Sequence, residues 1–191
     1  MDKKLLTALK AFKLKDEKRK GWVLRNIEFP ETVADHSWGL SLLCILFGNE
    51  ELDMTKVLKI AAVHDIAEAE TGDIATRADK KNQEISCEEK TRKELEAIEK
   101  ISDDFEEIRY LWEEYEENET KEAMFVKDMD KIEMILQAFL YEKNDRYPKN
   151  QEIVGYENLD EFFETAKPKI KTDIGNKLYR QIEKKYLEQK K

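Results

Sequence analysis

An all-α helical bundle is the fold this sequence predicts, and three observations predict it. Only 6 Gly and 3 Pro punctuate 191 residues, too few for a many-turned β architecture. Apolar residues recur with a helical period through most of the chain. No segment shows the period-two alternation of a half-buried strand. The length suits one domain, 1–191, built around a single core.

Each element follows from local pattern. Leu5, Leu6, Leu9, Phe12 and Leu14 fall on one helical face and predict a short first helix. Lys18 to Pro30, interrupted by Gly21, reads as a loop. A second helix begins near Glu31 to Asp35 and runs to Phe47. Gly48-Asn49 ends it, because both residues tolerate the left-handed conformation of a helix cap. Asp53 or Thr55 caps a third helix, Lys56 to about Glu70, which Thr71-Gly72 terminates. From Lys80 to Tyr115 the chain is strongly charged, yet Ile85, Leu95, Ile98, Ile101, Phe105, Ile108, Leu111 and Trp112 recur as on two amphipathic helices. These join near Ser102-Asp103. Thr120 opens a long helix to about Lys143, with Met124, Phe125, Ile132, Ile135, Leu136 and Phe139 on its apolar side. The tail holds a helix around Leu159 to Thr165, then Pro168, then a basic helix to about Leu187.

The charge balance excludes some functions. With a net charge of −9 and a pI near 5.0, the chain lacks the basic balance of a protein that binds nucleic acid polymers. A small phosphate can still be bound where local cations overturn the acidic field, and a metal ion is one way to supply them. Cys44 and Cys87 form no CxxC pair and suggest neither a disulfide framework nor a cysteine zinc site; Cys44 reads as a buried small hydrophobe. Leu40 to Phe47 is too short to span a bilayer, and the first residues lack a signal-peptide pattern. No membrane partner is expected, and cytoplasmic residence is the default.

The chain's two histidines each adjoin an aspartate, in Asp35-His36 and His64-Asp65. A lone histidine on an apolar face is ordinarily a satisfied core residue, but this pair has acidic company. His64 and Glu68 are four apart and so share a helical face; Asp65 lies about 100° around the axis. Gly72 turns the chain and could bring Asp73 back to the same region. The long helix adds Asp128 and Asp130, and residue pattern leaves open which of them is a ligand and which pairs with Lys127 or Lys131 on the solvated side. Buried carboxylates are costly unless paired or bound to a cation. Two imidazoles and two carboxylates suit a divalent ion of intermediate hardness: manganese, iron, cobalt, nickel or zinc. Four such ligands on a six-coordinate ion leave room for a water and a phosphate oxygen.

A first His, a His-Asp doublet and a distant Asp make the pattern of HD-domain metal-dependent phosphohydrolases, which this chain resembles. Gly21 to Asn26, Pro30 to Ser37, His64 to Ile74 and Asp128 to Ala138 are similar to the YfbR-like 5′-deoxynucleotidase branch, in the same order across roughly residues 20 to 145. The resemblance implies an HD-type fold whose metal-site core spans about 20–145, with C-terminal helices over 157–189 packed on it. It implies one ion held by His36, His64, Asp65 and Asp130, which favours Asp130 over Asp128. It further implies Glu68 and Asp73 as catalytic groups, and a second ion at Glu68, Asp73 and the Ile74 carbonyl. The implied reaction is hydrolysis of deoxyribonucleoside 5′-monophosphates to nucleoside and phosphate, with manganese, cobalt or magnesium, in a homodimer. The alternatives are pyrophosphate, cyclic-nucleotide or triphosphate hydrolysis, or a catalytically silent, metal-stabilised interaction protein.

Trp22 either anchors a loop or faces sugar or base. Arg25 offers a planar guanidinium to phosphate, or forms an ion pair with Glu31 or Asp35. Arg77, soon after Asp73, is a third candidate substrate contact. Some relatives carry a basic residue directly before the tryptophan; here that position is Gly21, with Arg19 and Lys20 upstream. Trp38 and Trp112 read as core or interface residues.

Overall fold

The computed structural model of the chain describes residues 1–102, 105–147, 153, 156 and 158–190. Its helices are α1 (Lys3–Ala11), α2 (Lys20–Val23), α3 (Val33–Phe47), α4 (Met54–Val63), α5 (Glu68–Thr71), α6 (Cys87–Ser102), α7 (Glu106–Glu117), α8 (Lys121–Lys143), α9 (Asp160–Ala166) and α10 (Asp173–Gln189). Among the described residues, β pairing is limited to two isolated bridges, Lys18 with Thr32 and Ile153 with Tyr156. The expected junction at Asp103 lies outside the described residues.

Helix α8 is the axis of the fold. It has 23 residues, about 35 Å of rise, and α3, α4, α7, α9 and α10 all pack on it. A helix contacted on several sides carries no single apolar stripe, which is why Phe125, Val126, Met129, Ile132, Ile135 and Ala138 are all buried. Leu40 and Cys44 of α3, Val57 and Ile60 of α4, and Leu178, Ile182 and Tyr186 of α10 complete this core. Each such buried aliphatic side chain contributes about 1.5–3 kcal/mol. A second cluster joins Leu14, Val33, Ile66, Ala97, Ile98, Ile101 and Trp112 beneath α1 and α6.

Caps set the boundaries. Thr32 accepts from the Asp35 amide while Asp35 accepts from the Thr32 amide, a reciprocal box that starts α3 and commits Asp35 to capping. Asp53, Thr120 and Thr172 start α4, α8 and α10 with one-way caps, accepting from the Lys56, Ala123 and Gly175 amides. Gly48 ends α3 with φ −65° and ψ 159°, extended rather than left-handed as expected. What requires glycine there is proximity: a Cβ would lie 2.4 Å from Met54 Sδ and 2.8 Å from the Cys44 carbonyl. Gly72 does use its freedom, with φ 70°.

Three sequence expectations need correction. The third helix is not continuous to Glu70: α4 stops at Val63, and i to i−3 hydrogen bonds from Ile66, Glu68 and Ala69 tighten the chain before α5. Asp128 is not on a solvated face but is 1% exposed, accepting from the Lys171 and Thr172 amides and the Thr172 hydroxyl. Of the two places expected for Trp38, the core is excluded, since it is 70% exposed, whereas Trp112 is buried.

Candidate metal centre

Three helices and a turn bring the predicted ligands to one point. His36 follows the capping box of α3 by one residue, so its position on the inward face is set by the helix start. His64 caps α4 and Asp65 opens the tight turn after it. Asp130 lies mid-way along α8. His36, His64 and Asp65 offer ligand atoms that all lie within 4.8 Å of one another. Asp130 joins through Oδ1, 3.3 Å from His36 Nε2, while Asp65 Oδ2 is 3.0 Å from His64 Nε2 and 3.9 Å from His36 Nε2.

Both imidazoles are oriented by their outer nitrogens. His64 Nδ1 is 2.9 Å from the Ala61 carbonyl, which can only accept, so Nδ1 carries the proton. His36 Nδ1 is 2.5 Å from Glu133 Oε2. In each ring Nε2 is left facing the acids, the arrangement by which proteins hold imidazole ligands ready for a metal. Glu31, His36 and Glu133 also cluster, but on the Nδ1 side that Glu133 already uses.

The decisive test is polar satisfaction. Among the described residues six buried side-chain polar atoms lack a hydrogen bond, and four of them belong to this centre: His36 Nε2, His64 Nε2, Asp130 Oδ1 and Glu68 Oε2. Buried polar atoms are almost always paired, and a lone one costs about 1–3 kcal/mol. Two ring nitrogens and two carboxylate oxygens left over at one place form a donor set that fits a divalent cation.

A sequence model of the HD domain matches residues 11–174. A Dictyostelium discoideum protein named 5′-deoxynucleotidase HDDC2 is 39% identical over 180 residues, covering 90% of this chain and 92% of that protein. A Schizosaccharomyces pombe protein named 5′-deoxynucleotidase hdd1 is 41% identical over 140 residues, 69% of this chain and 68% of its own length. The crystal structure of a Pyrococcus horikoshii protein superposes with a TM-score of 0.74 at 31% identity, over 94% of this chain and 96% of that one. The chain belongs to the HD-domain family. HD domains are metal-dependent, and the histidine and carboxylate groups of this one could bind a metal.

The HD centre opens on a cavity of about 560 Å³. His64, Asp65, Glu68, Asp73, Ile74 and Asp130 line it; His36 is wholly buried behind them. Burial and the neighbouring Asp65 and Asp73 raise the Glu68 carboxyl well above the usual carboxylate range. Burial opposes ionisation of Asp130, but Lys131 and His36 outweigh it and hold this carboxyl well below that range. For His36, burial and Arg19 oppose charging, yet Glu133 and Asp130 prevail and raise the ring to about 10. Asp73 Oδ2 accepts from the Lys20 amide, and the Ile74 carbonyl accepts from Lys90 Nζ at 3.3 Å.

The three predicted substrate contacts divide differently. Trp22 lines the cavity but is 1% exposed, donating Nε1 to Glu31 and stacking on Phe162 with centroids 4.0 Å apart. It is a wall rather than a free face. Arg25 and Arg77 do not line the cavity; both guanidinium groups pair with the buried Glu161. The expectation that they reach phosphate is therefore corrected, because a carboxylate far along the chain binds both.

Two residues of the HD centre carried no assigned role in the sequence reading. Glu133, which orients His36, follows Asp130 by three, so it shares that ligand's helical face; this spacing was the available signal. Arg19 NH1 lies 3.0, 3.9 and 4.0 Å from Asp65, Glu68 and Asp73, placing the cavity's guanidinium three residues before Trp22 rather than directly before it.

Proposed function

We propose that this HD-domain protein is a metal-dependent phosphomonoesterase that hydrolyses deoxyribonucleoside 5′-monophosphates to nucleoside and phosphate. The observation that carries this reading is the set of four unpartnered buried atoms converging beside a cavity large enough for a nucleotide. The 5′-deoxynucleotidase name of relatives at 39–41% identity supports the substrate class.

His36, His64, Asp65 and Asp130 would hold the ion, with manganese, cobalt or magnesium the expected choices. A divalent cation there supplies Lewis-acid activation of water and neutralises charge on the phosphoryl group. Glu68, its carboxyl raised by burial and two acids, carries the proton that the departing 5′ oxygen needs. Asp73, fixed by the Lys20 amide, is the second acid within reach of the same region. Glu68, Asp73 and the Ile74 carbonyl are the set that would hold a second cation, in competition with Lys90. Arg19 restrains Asp65 and offsets the acidic field. The apolar wall of Trp22, Met134 and Phe162 takes the nucleoside part.

The same reading treats the chain as one domain, since one core reaches from Trp22 to Tyr186. It places the enzyme in the cytoplasm; among the described residues no helix is long and apolar enough to cross a membrane. It assigns a homodimer to the outer side of α3, where Trp38, Leu42, Ile45 and Leu46 are exposed at helical spacing.

The test is a panel of deoxy- and ribonucleoside 5′-monophosphates, each assayed with manganese, cobalt and magnesium for free phosphate and nucleoside. Metal-dependent release of both products from the deoxy compounds is expected. Pyrophosphate as product, or turnover unaffected by chelation, would overturn the reading.

A further inference from the structure

A phosphate dianion entering this cavity needs a cation that the cavity's own acids do not consume. Four of the basic residues lining it are already engaged. Arg19 holds Asp65 at 3.0 Å, Lys131 holds Asp130 at 2.7 Å, Lys127 meets Glu116 at 3.3 Å and Lys90 meets Glu94 at 3.4 Å. Lys169 and Lys171 also line the cavity, and neither meets a carboxylate among the described residues.

These two lysines differ in their surroundings. Lys169 lines the cavity while remaining exposed to solvent, near the ammonium groups of Lys131 and Lys90. Burial against the cavity wall and repulsion by Lys131 and Lys90 lower its pKa to about 8, against the opposing pull of Asp130. Lys131 and Lys90 have carboxylate partners and Lys169 has none among the described residues, so an added anion beside Lys169 would be stabilised.

The segment that carries Lys169 is also held firmly. Pro168 precedes it in a short 3₁₀ turn, Lys167–Lys169, and Ile170 after it is buried in the main core. The Lys171 and Thr172 amides then donate to Asp128 at 2.9 and 2.7 Å, and the Thr172 hydroxyl does so at 2.5 Å. Gly175 permits this approach, since a Cβ there would lie 2.4 Å from Asp128 Oδ2. Asp128 is two residues from Asp130 on α8, so one helix both contributes an acid to the HD centre and anchors the rim.

We propose that Lys169 is the cation that binds the substrate's phosphate, and that Asp128 is the positioning residue that keeps it on the cavity rim. This deepens the phosphomonoesterase reading above and rests on it. The group arrives from the tail, beyond the HD-like blocks that end at Ala138, and Asp128 is the buried acid of those blocks that holds the backbone beside it.

The test uses the full chain loaded with manganese. KM and kcat for a deoxynucleoside 5′-monophosphate are measured, together with binding of inorganic phosphate by calorimetry. Lys169→Met should raise KM and the Kd for phosphate roughly 10- to 100-fold, with kcat and bound metal little changed. Lys169→Arg should restore most of the loss, and Asp128→Asn should raise KM in the same direction by less. Lys167→Ala, which removes an exposed lysine paired with Glu183, should alter neither constant. Unchanged KM and phosphate affinity in Lys169→Met overturns the proposal, as does a loss confined to kcat or to metal content. If the wild-type protein releases no phosphate from monophosphates, the functional reading fails, and the phosphate calorimetry still decides the cation.

Discussion

Asp128 and Asp130 stand two residues apart on α8, both buried, and the chain treats them in opposite ways. Asp128 faces α10, where two amides and a hydroxyl donate to it. Asp130 faces the cavity, where Oδ2 is taken by Tyr115 and Lys131 while Oδ1 has no hydrogen bond. A buried carboxylate surrounded by donors is a structural fixture. One with an oxygen left over, beside two imidazole nitrogens in the same condition, is available for chemistry.

The sharpest way to break that comparison is to remove each acid in turn. Asp130→Ala should lower turnover by about 10³-fold and empty the metal site while leaving the helical signal intact. Asp128→Ala should keep the metal but lose about 1–3 kcal/mol of stability in denaturant unfolding, because its buried donors lose their acceptor. If Asp128→Ala emptied the site and Asp130→Ala did not, the two roles would have to be exchanged.

Glu68 tests the open side further. Its Oε2 is also unpartnered, and burial together with Asp65 and Asp73 raises its carboxyl rather than lowering it. Glu68→Gln should reduce kcat by about 10²-fold with metal content retained. Equal loss of metal and rate would reassign it to ligation.

The smallest effect concerns Glu161, a third buried acid that resembles Asp128 in being enclosed by donors. Burial works against its ionisation, but Arg77, the Ala78 amide and Arg25 prevail and hold its pKa below the ordinary glutamate value. A depressed folded-state pKa means that its contribution is present above the unfolded value and is lost as the pH falls through the folded one. Wild-type melting temperature should therefore decline on acidification from about pH 5 to 3, and Glu161→Gln should flatten that limb. An unchanged slope would show that the pair of arginines does not depend on its charge.

What could be read from the sequence follows the range of the interactions involved. The boundaries of α3, α8 and α10 rest on local caps and periodicity, and they fall close to the expected residues. The HD doublet and Glu68 sit within one short segment, so their proximity was apparent, although the i to i−3 bonding after Val63 was not. Arg25 and Arg77 were misdirected because their partner lies 136 and 84 positions away and leaves no local trace. The pattern of α8 alone favoured Asp130 over Asp128 without settling the choice. It depends on which neighbour, the start of α10 or the two histidines, faces each acid.

The tight turn from His64 to Ala67 has a consequence for how this chain tolerates changes of length. Within it, a single inserted or deleted residue would swing the start of α5 by about 100° and displace it by about 1.5 Å along the axis. Glu68 and Asp73 would then point away from His64 while the rest of the bundle remained intact. The stretch 79–82, exposed throughout, has no such phase to keep, and a tag or loop graft belongs there.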